Sequence, residues 1–270
     1  MDYLTLVLEP RTWSLYRGVG SAGELLRQRL DPPVVSGMSP ANTPLLWICG
    51  PNSDSDRPFV GSLRLSDLST RFFDWDGGRI GAIASSPDGQ EAVALALPSA
   101  PADRPRLWLW NGTWNAIAEI APDISSRLAW LEEKRIVYES AARRLVVLDL
   151  GSGSADVGPV GFYPAAATDL REWYAVSEGR VSCFSFERPF QQPQAAVQGF
   201  AFREVATLRV TRDGRVFSWT EPRFGLRSKG YIQEGGRRRQ RFRAIDNGVA
   251  IGAVLGPYDL SLEPVGQSRS

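Results

Sequence analysis

The residues that could perform chemistry in this chain are carboxylates near the ends of strand-like runs, because its 270 residues include no histidine. Ser-His-Asp catalysis, Cys-His catalysis and histidine-ligated metal sites are therefore excluded. Two carboxylates across a cleft could cleave a glycosidic bond, and acids around a channel could hold a hydrolytic metal ion. The candidates are Glu9, Asp74, Asp76, Asp123, Asp169 and Asp246. Nothing in the sequence shows that these acids converge on one site, so we predict no catalytic residue, no metal and no cofactor.

The elements that would position these acids form a repeating strand–turn–strand pattern. Its clearest copy is RIGAIASSPDGQEAVALAL (79–97), in which Pro87-Asp88-Gly89 makes the turn between two apolar runs. RLWLWN and TWNAIAEI follow as a third and a fourth strand. Looser copies cover residues 34–75, 126–158, 165–186 and 204–220. Four strands in each repeat of about 40 residues are typical of the blades of a β-propeller.

The two ends of the chain hold incomplete repeats. Neither residues 1–30 nor residues 246–270 contain a full set of strands, but together they have enough for one blade. We therefore predict an all-β fold, a single β-propeller domain over 1–270. Six four-stranded blades are expected, with the ring closed by N- and C-terminal strands in one blade. Seven blades and a two-sheet sandwich are the alternatives, and residues 21–30 are predicted to form a short helix.

Two segments resemble known propeller repeats. ASSPDGQEAVALAL followed by RPRLWLW resembles the SPDG repeat of WD40-like and TolB-like β-propellers, and RRLVVLDLGSGSADV resembles the third-strand signature of the same superfamily. The Gly-His and Trp-Asp dipeptides of true WD40 repeats are absent from the chain. The resemblance therefore implies a fold and carries no activity with it, since such propellers serve many functions.

The tryptophans are expected to pack between neighbouring sheets. Trp47, Trp173 and Trp219 fall in the second strand of three repeats, where aromatic rings normally fill the space between blades. Trp75 and Trp114 lie beside glycine-rich turns and are the better candidates for exposed contact.

Composition indicates the compartment. Cys49 and Cys183 lie in apolar runs of different repeats, so we expect two buried free thiols. MDYLTLVLEP has no basic region before its short apolar run, unlike a signal peptide. No run reaches the length of a membrane span. We expect a cytoplasmic bacterial protein with no membrane partner.

One segment is strongly basic. Residues 201–245 contain twelve basic and four acidic residues, a net charge of +8, whereas the whole chain carries +1 and the remainder therefore −7. The most concentrated part supplies the predicted contacts with an anionic partner, which are Arg237, Arg238, Arg239 and Arg241. The surface they meet could belong to an acidic protein or to a nucleic acid.

Three loops between second and third strands are long, and they should share the face on which successive blades connect. They cover residues 50–58, 98–105 and 221–228. Their predicted partner-binding residues are Asp54, Asp56, Arg57, Asp103, Arg104, Arg223 and Phe224. The Arg237–Arg239 run follows a third strand and should project from the opposite face.

These features predict a non-catalytic interaction module, a subunit or scaffold of a larger bacterial protein assembly whose partner is another protein. The alternative is a nucleic-acid-contacting subunit that uses the basic segment 201–245. A third possibility is a channel-centred hydrolase or lactonase built from the acids named above.

Overall fold

Four-stranded antiparallel sheets make up the described part of the fold. The computed structural model describes residues 1–9, 11–19, 23–51, 58–100, 103–117, 122–191, 194–195, 207–223, 226–234, 241–245, 250–260 and 262. Within them lie six sheets, each built from strands that are consecutive in the chain except in sheet 1. Each sheet is numbered by the position of its first strand along the chain.

Sheets 1 to 3 are formed by the first half of the chain and the C-terminal strand. Sheet 1 has the order β24-β1-β2-β3, from Ala250–Tyr258, Asp2–Glu9, Thr12–Arg17 and Glu24–Leu30. Sheet 2 contains β4 to β7, which are Gly37–Pro40, Leu45–Pro51, Pro58–Arg64 and Thr70–Phe73. Sheet 3 contains β8 to β11, which are Ile80–Ser85, Ala92–Ala96, Arg106–Trp110 and Trp114–Ala116.

Sheets 4 to 6 follow in sequence order. Sheet 4 contains β12 to β15, which are Leu128–Trp130, Arg135–Glu139, Arg144–Asp149 and Ala155–Val160. Sheet 5 contains β16 to β19, which are Phe162–Ala167, Glu172–Ser177, Arg180–Ser185 and Gln194–Ala195, with a 3-10 turn at Thr168–Leu170. Sheet 6 contains β20 to β23, which are Thr207–Val210, Val216–Arg223, Leu226–Glu234 and Arg241–Ile245.

The hairpin turns follow from local side-chain chemistry. Asp88 accepts hydrogen bonds from the Ser86 hydroxyl (2.6 Å) and the Gln90 backbone N–H (3.0 Å), and Gly89 takes a φ of 76°. Asp213 accepts equivalent bonds from Thr211 (2.8 Å) and the backbone of Arg215 (3.3 Å). A short acidic side chain followed by glycine therefore sets both turns, because glycine tolerates the positive φ.

Hydrophobic clusters fill the spaces between successive sheets and fix their order around a ring. Sheets 1 and 2 share Leu6 and Leu63, and sheets 4 and 5 share Val147 and Trp173. The second strand β9 is buried at all five positions, since neighbouring sheets cover both of its faces. The all-β propeller class predicted from the repeats is confirmed.

Sheet 1 closes the ring, as predicted from the incomplete ends. Strand β1 pairs with β2 on one side and with β24 on the other, antiparallel in both cases. Tyr3 also donates a hydrogen bond to Asp213 of sheet 6 at 2.6 Å. The first and last strands are thus joined in sheet 1, which also contacts sheet 6.

The helix predicted at residues 21–30 is wrong, because this segment contains β3. Six residue pairs join β3 to β2, and Leu26 is fully buried in the cluster between sheets 1 and 2. The leucines and arginines of this segment have good helical propensity. Pairing along the edge of sheet 1 and burial of Leu26 outweigh that local preference.

Both cysteines are free and buried, as predicted. They lie on β5 of sheet 2 and β18 of sheet 5. Burial raises the pKa of the Cys49 thiol to about 12, so little of the reactive thiolate forms at neutral pH.

Candidate functional site

A central channel runs between the innermost strands of the six sheets. Its cavity has a volume of about 380 Å³ and is lined by residues of β4, β8, β12, β16, β20 and β24, or residues directly next to them. Apolar side chains such as Met38, Ile83 and Val210 form much of the wall. The strand nearest the axis of each sheet therefore determines what the channel can bind.

The segment Ala41–Asn42 crosses one end of this channel. The Asn42 backbone N–H donates to Pro87 of sheet 3 (2.7 Å), and its carbonyl oxygen accepts from Arg212 after β20 (2.7 Å). The Thr168 hydroxyl donates to the Asn42 amide oxygen at 2.5 Å. These bonds link sheet 2 to sheets 3, 5 and 6, so the end at Asn42 is held together by polar contacts from several blades.

Arginines supply the charge of the channel. Arg127, Arg209 and Arg212 line it, whereas no Asp or Glu is among its described lining residues. Arg212 is paired with Asp169 at the Asn42 end, at 3.0 Å. Arg127 donates to the Gly81 carbonyl oxygen at 3.0 Å, which anchors its guanidinium at the start of β12.

The acids considered for hydrolysis do not line this channel. Glu9, Asp74, Asp76, Asp123 and Asp169 are all absent from its described lining, and Asp246 lies outside the described residues. The described residues also contain no group of three His, Cys, Asp or Glu that could hold a metal ion. The arrangement in the channel is cationic instead.

Glu139 is a buried carboxylate behind the channel wall, 3% exposed. Burial raises the pKa of its carboxyl to about 7, although hydrogen bonds from the backbone N–H groups of Tyr163 and Arg127 and the positive charge of Arg127 oppose the rise. No feature of the sequence around Glu139 marks it as buried, because Tyr163, whose backbone N–H donates to it, belongs to the next sheet.

An aromatic cleft lies between sheets 2 and 3, on their outer part. The rings of Trp47 and Phe73 stack with centroids 4.8 Å apart, and Trp110 approaches Phe73 to 4.9 Å. The Trp47 indole N–H donates to the Gly89 carbonyl oxygen at 2.9 Å, which fixes the ring. The three side chains line a cavity of about 570 Å³.

The rim of the cleft carries one cation that lacks a carboxylate partner. Glu91 is paired with Lys134 of sheet 4 (3.2 Å), and Arg64 with Asp67 (3.7 Å). Arg71 instead places its guanidinium carbon 5.2 Å from the centre of the Phe73 ring, and no described carboxylate lies within 4 Å of it. The cleft therefore combines an aromatic floor with an exposed positive charge.

The tryptophans fall mostly where the sequence predicted. Trp47 and Trp173 are 2% and 0% exposed and pack between sheets, while the side chain of Trp219 lies outside the described ones. Trp75 and Trp114 are not the free surface rings that were expected. They pack edge-to-face at 4.8 Å and join the aromatic cluster next to the cleft.

The predicted partner-binding residues are distributed as follows. Asp103 and Arg104 are exposed in the connection before β10. The expected long loop at 221–228 is largely strand, since β21 extends to Arg223 and β22 begins at Leu226 with Arg223 and Leu226 paired. Arg241 is the first residue of β23, opposite Glu234. The others, Asp54, Asp56, Arg57, Phe224, Arg237, Arg238 and Arg239, lie outside the described residues.

Solved structures share this architecture at low sequence identity. TolB from Acinetobacter baumannii is 12% identical with a TM-score of 0.62, and the alignment covers 90% of this chain and 65% of TolB. The fold is that of TolB-like and WD40-like β-propellers. A functionally unknown protein from Desulfotomaculum acetoxidans DSM 771 gives 12% identity and a TM-score of 0.56, with 91% of this chain and 80% of that one covered.

A third similar structure is the β-propeller domain of Cps50 (Swd1) from Myceliophteria thermophila. It is 13% identical with a TM-score of 0.51 over 74% of this chain and 66% of that domain. The chain thus spans about two thirds of the length of TolB and of the Cps50 propeller domain. No protein-family model and no curated sequence matches it. No helix among the described residues is long and apolar enough to cross a membrane.

Proposed function

We propose that this propeller is a non-catalytic interaction module that binds another protein within a bacterial, cytoplasmic assembly, and that the aromatic cleft between sheets 2 and 3 receives a segment of that partner. The observation that carries the proposal is the partly exposed Phe73 and Trp110 beside the unpaired Arg71. Aromatic side chains and arginine are the residues that most often dominate the binding energy of protein interfaces.

The residues of the cleft indicate which side chains the bound partner segment should carry. An apolar or aromatic side chain would pack on Phe73 and Trp110, and an adjacent acidic residue would pair with Arg71. Two reduced, buried thiols are consistent with a reducing compartment such as the cytoplasm. The ring itself is a rigid support, since its sheets are packed on both faces.

Reversal of the Arg71 charge tests this proposal. Peptides selected from a random display library on the wild-type protein should contain an apolar residue next to Asp or Glu. Arg71→Glu should weaken their binding, measured by fluorescence polarisation, at least about tenfold because the charge pair becomes repulsive.

The matched control is Arg106→Glu. Arg106 is also exposed but lies at the start of β10, outside the cleft. It should leave peptide affinity unchanged. If the Arg71 variant binds the selected peptides as tightly as the wild type, or if selection enriches no peptide, the cleft is not the binding site.

The basic segment gives a second prediction. Replacing Arg237, Arg238, Arg239 and Arg241 by Ser should change the free energy of unfolding by no more than about 0.5 kcal/mol, the usual range for surface positions. It should reduce recovery of the native assembly in co-purification and make that recovery less sensitive to salt, because an anionic surface loses its counter-charges.

A variant with four dispersed exposed arginines replaced by Ser has the same net charge and serves as the control; these are Arg11, Arg79, Arg106 and Arg180. It should assemble normally. Equal recovery of the clustered variant would show that the cluster is only a solvated surface. Steeply salt-dependent binding of a short DNA duplex, lost in the clustered variant, would instead favour the nucleic-acid alternative.

A further inference from the structure

The central channel contains more positive charge than its own described residues neutralise. Arg212 is paired with Asp169, but neither Arg127 nor Arg209 has a described carboxylate within 4 Å. Arg127 interacts electrostatically with Glu139, a carboxyl whose pKa is raised to about 7 by burial. Charges inside proteins are normally paired, since transfer out of water is costly.

The two unpaired arginines act on each other across the channel. Both side chains are half-buried and line the same cavity, Arg127 from the start of β12 and Arg209 from β20. Burial lowers the pKa of the Arg209 guanidinium to about 10, and the positive charge of Arg127 contributes to the same shift. Two like charges held in one cavity repel, and an anion placed between them removes the repulsion and pairs both.

The apolar part of the channel wall indicates that a ligand of this channel also has an apolar part. Around the arginines the channel presents Ile83, Leu128, Leu208 and Val254, and its volume of about 380 Å³ exceeds what an inorganic ion fills. The Asn42 end is crossed by hydrogen bonds between four sheets. A ligand would therefore enter from the end at which β12 begins, where Arg127 lies.

We propose that the central channel is a binding site for a small organic anion, whose carboxylate or phosphate group is held by Arg127 and Arg209 and whose apolar part packs against the channel wall. Arg127 and Arg209 line this cavity without a described carboxylate partner, whereas Arg212 is paired with Asp169, and Glu139 acts on Arg127 from outside the cavity lining. The site is separate from the aromatic cleft.

Calorimetric titration with phenyl phosphate and phenylacetate, and with benzyl alcohol as the uncharged analogue, tests this inference. Both anions should bind at one site per chain, and benzyl alcohol should not bind measurably. Arg209→Gln and Arg127→Gln should each weaken the anions at least about tenfold, as loss of one charge-assisted pair requires. Inorganic phosphate should bind more weakly than phenyl phosphate, because it lacks the apolar part.

The unliganded variants provide an independent test. If Arg209 is unpaired, Arg209→Gln should melt at the same temperature as the wild type or higher, since it removes a repulsion. A clear fall in melting temperature would mean that the chain itself neutralises Arg209, and the proposal would be overturned. Arg106→Gln is the control for loss of one exposed charge and should bind the anions normally. Absence of anion binding to the wild type would equally refute the site.

Discussion

Deletion of residues 1–9 is expected to abolish cooperative unfolding of the whole propeller. These residues contain β1, the second strand of sheet 1, which pairs with β2 and with β24. Leu4, Leu6 and Val7 are 1%, 0% and 7% exposed, and burial of each such side chain contributes about 1.5–3 kcal/mol. Their sum approaches the total stability of about 5–15 kcal/mol of an ordinary domain.

Circular dichroism during heating measures this effect. A circular permutant that joins the C-terminal end to residue 1 and opens the chain between β3 and β4 is the control, because β24 and β1 are already neighbours. The permutant should melt close to the wild type. If the truncated protein itself melts within about a degree or two of the full chain, β1 is not needed to close the ring.

The second large effect concerns the pH dependence of stability. Glu139 has an ordinary pKa of 4.5 in the unfolded chain and about 7 in the folded protein. Between these values the folded protein binds more protons at this carboxyl than the unfolded chain does, so the free energy of unfolding decreases as pH rises. The full loss across this window corresponds to about 3 kcal/mol.

Substitution of Glu139 by Gln should remove that dependence. The amide cannot ionise, while its oxygen still accepts the bond from the Tyr163 backbone N–H. Urea titrations between pH 4.5 and 8 should therefore give a flatter profile for Glu139→Gln than for the wild type, whatever the absolute stability of the variant. Glu133→Gln, at an exposed position in the turn between β12 and β13, should keep the wild-type slope. Parallel profiles for wild type and Glu139→Gln would contradict this account.

The turns and the closure of the ring could be predicted because each leaves a recognisable pattern in the sequence itself. Pro87-Asp88-Gly89 encodes its own hydrogen bonds and its positive φ, so it predicts a hairpin without knowledge of the rest of the chain. Likewise, incomplete repeats at both ends require each other to complete a sheet. By contrast, residues 21–30 contain no turn signal, and they form a strand because they pair with the edge of β2.

The cationic channel and the aromatic cleft could not be predicted, because each depends on residues far apart in the chain. Arg127 and Arg209 line the same cavity only because they lie at or next to the innermost strands of sheets 4 and 6. Phe73 and Trp110 come from the outer part of one sheet and the third strand of the next. A charged residue at the start of an apolar first strand, as in RLAWL, is the signal that could have indicated Arg127.

The pairing of β1 with β24 also determines when the protein can finish folding during its synthesis. Strand β1 is synthesised before its partner β24, which follows about 240 residues later. At about 5–20 residues per second, β1 keeps an unpaired edge for roughly 12–50 seconds. During that time sheets 2 to 6 can form and stack, whereas sheet 1 stays open to other strands. Until β24 has been made, the edge of β1 is therefore available to pair with a strand of another copy of the chain.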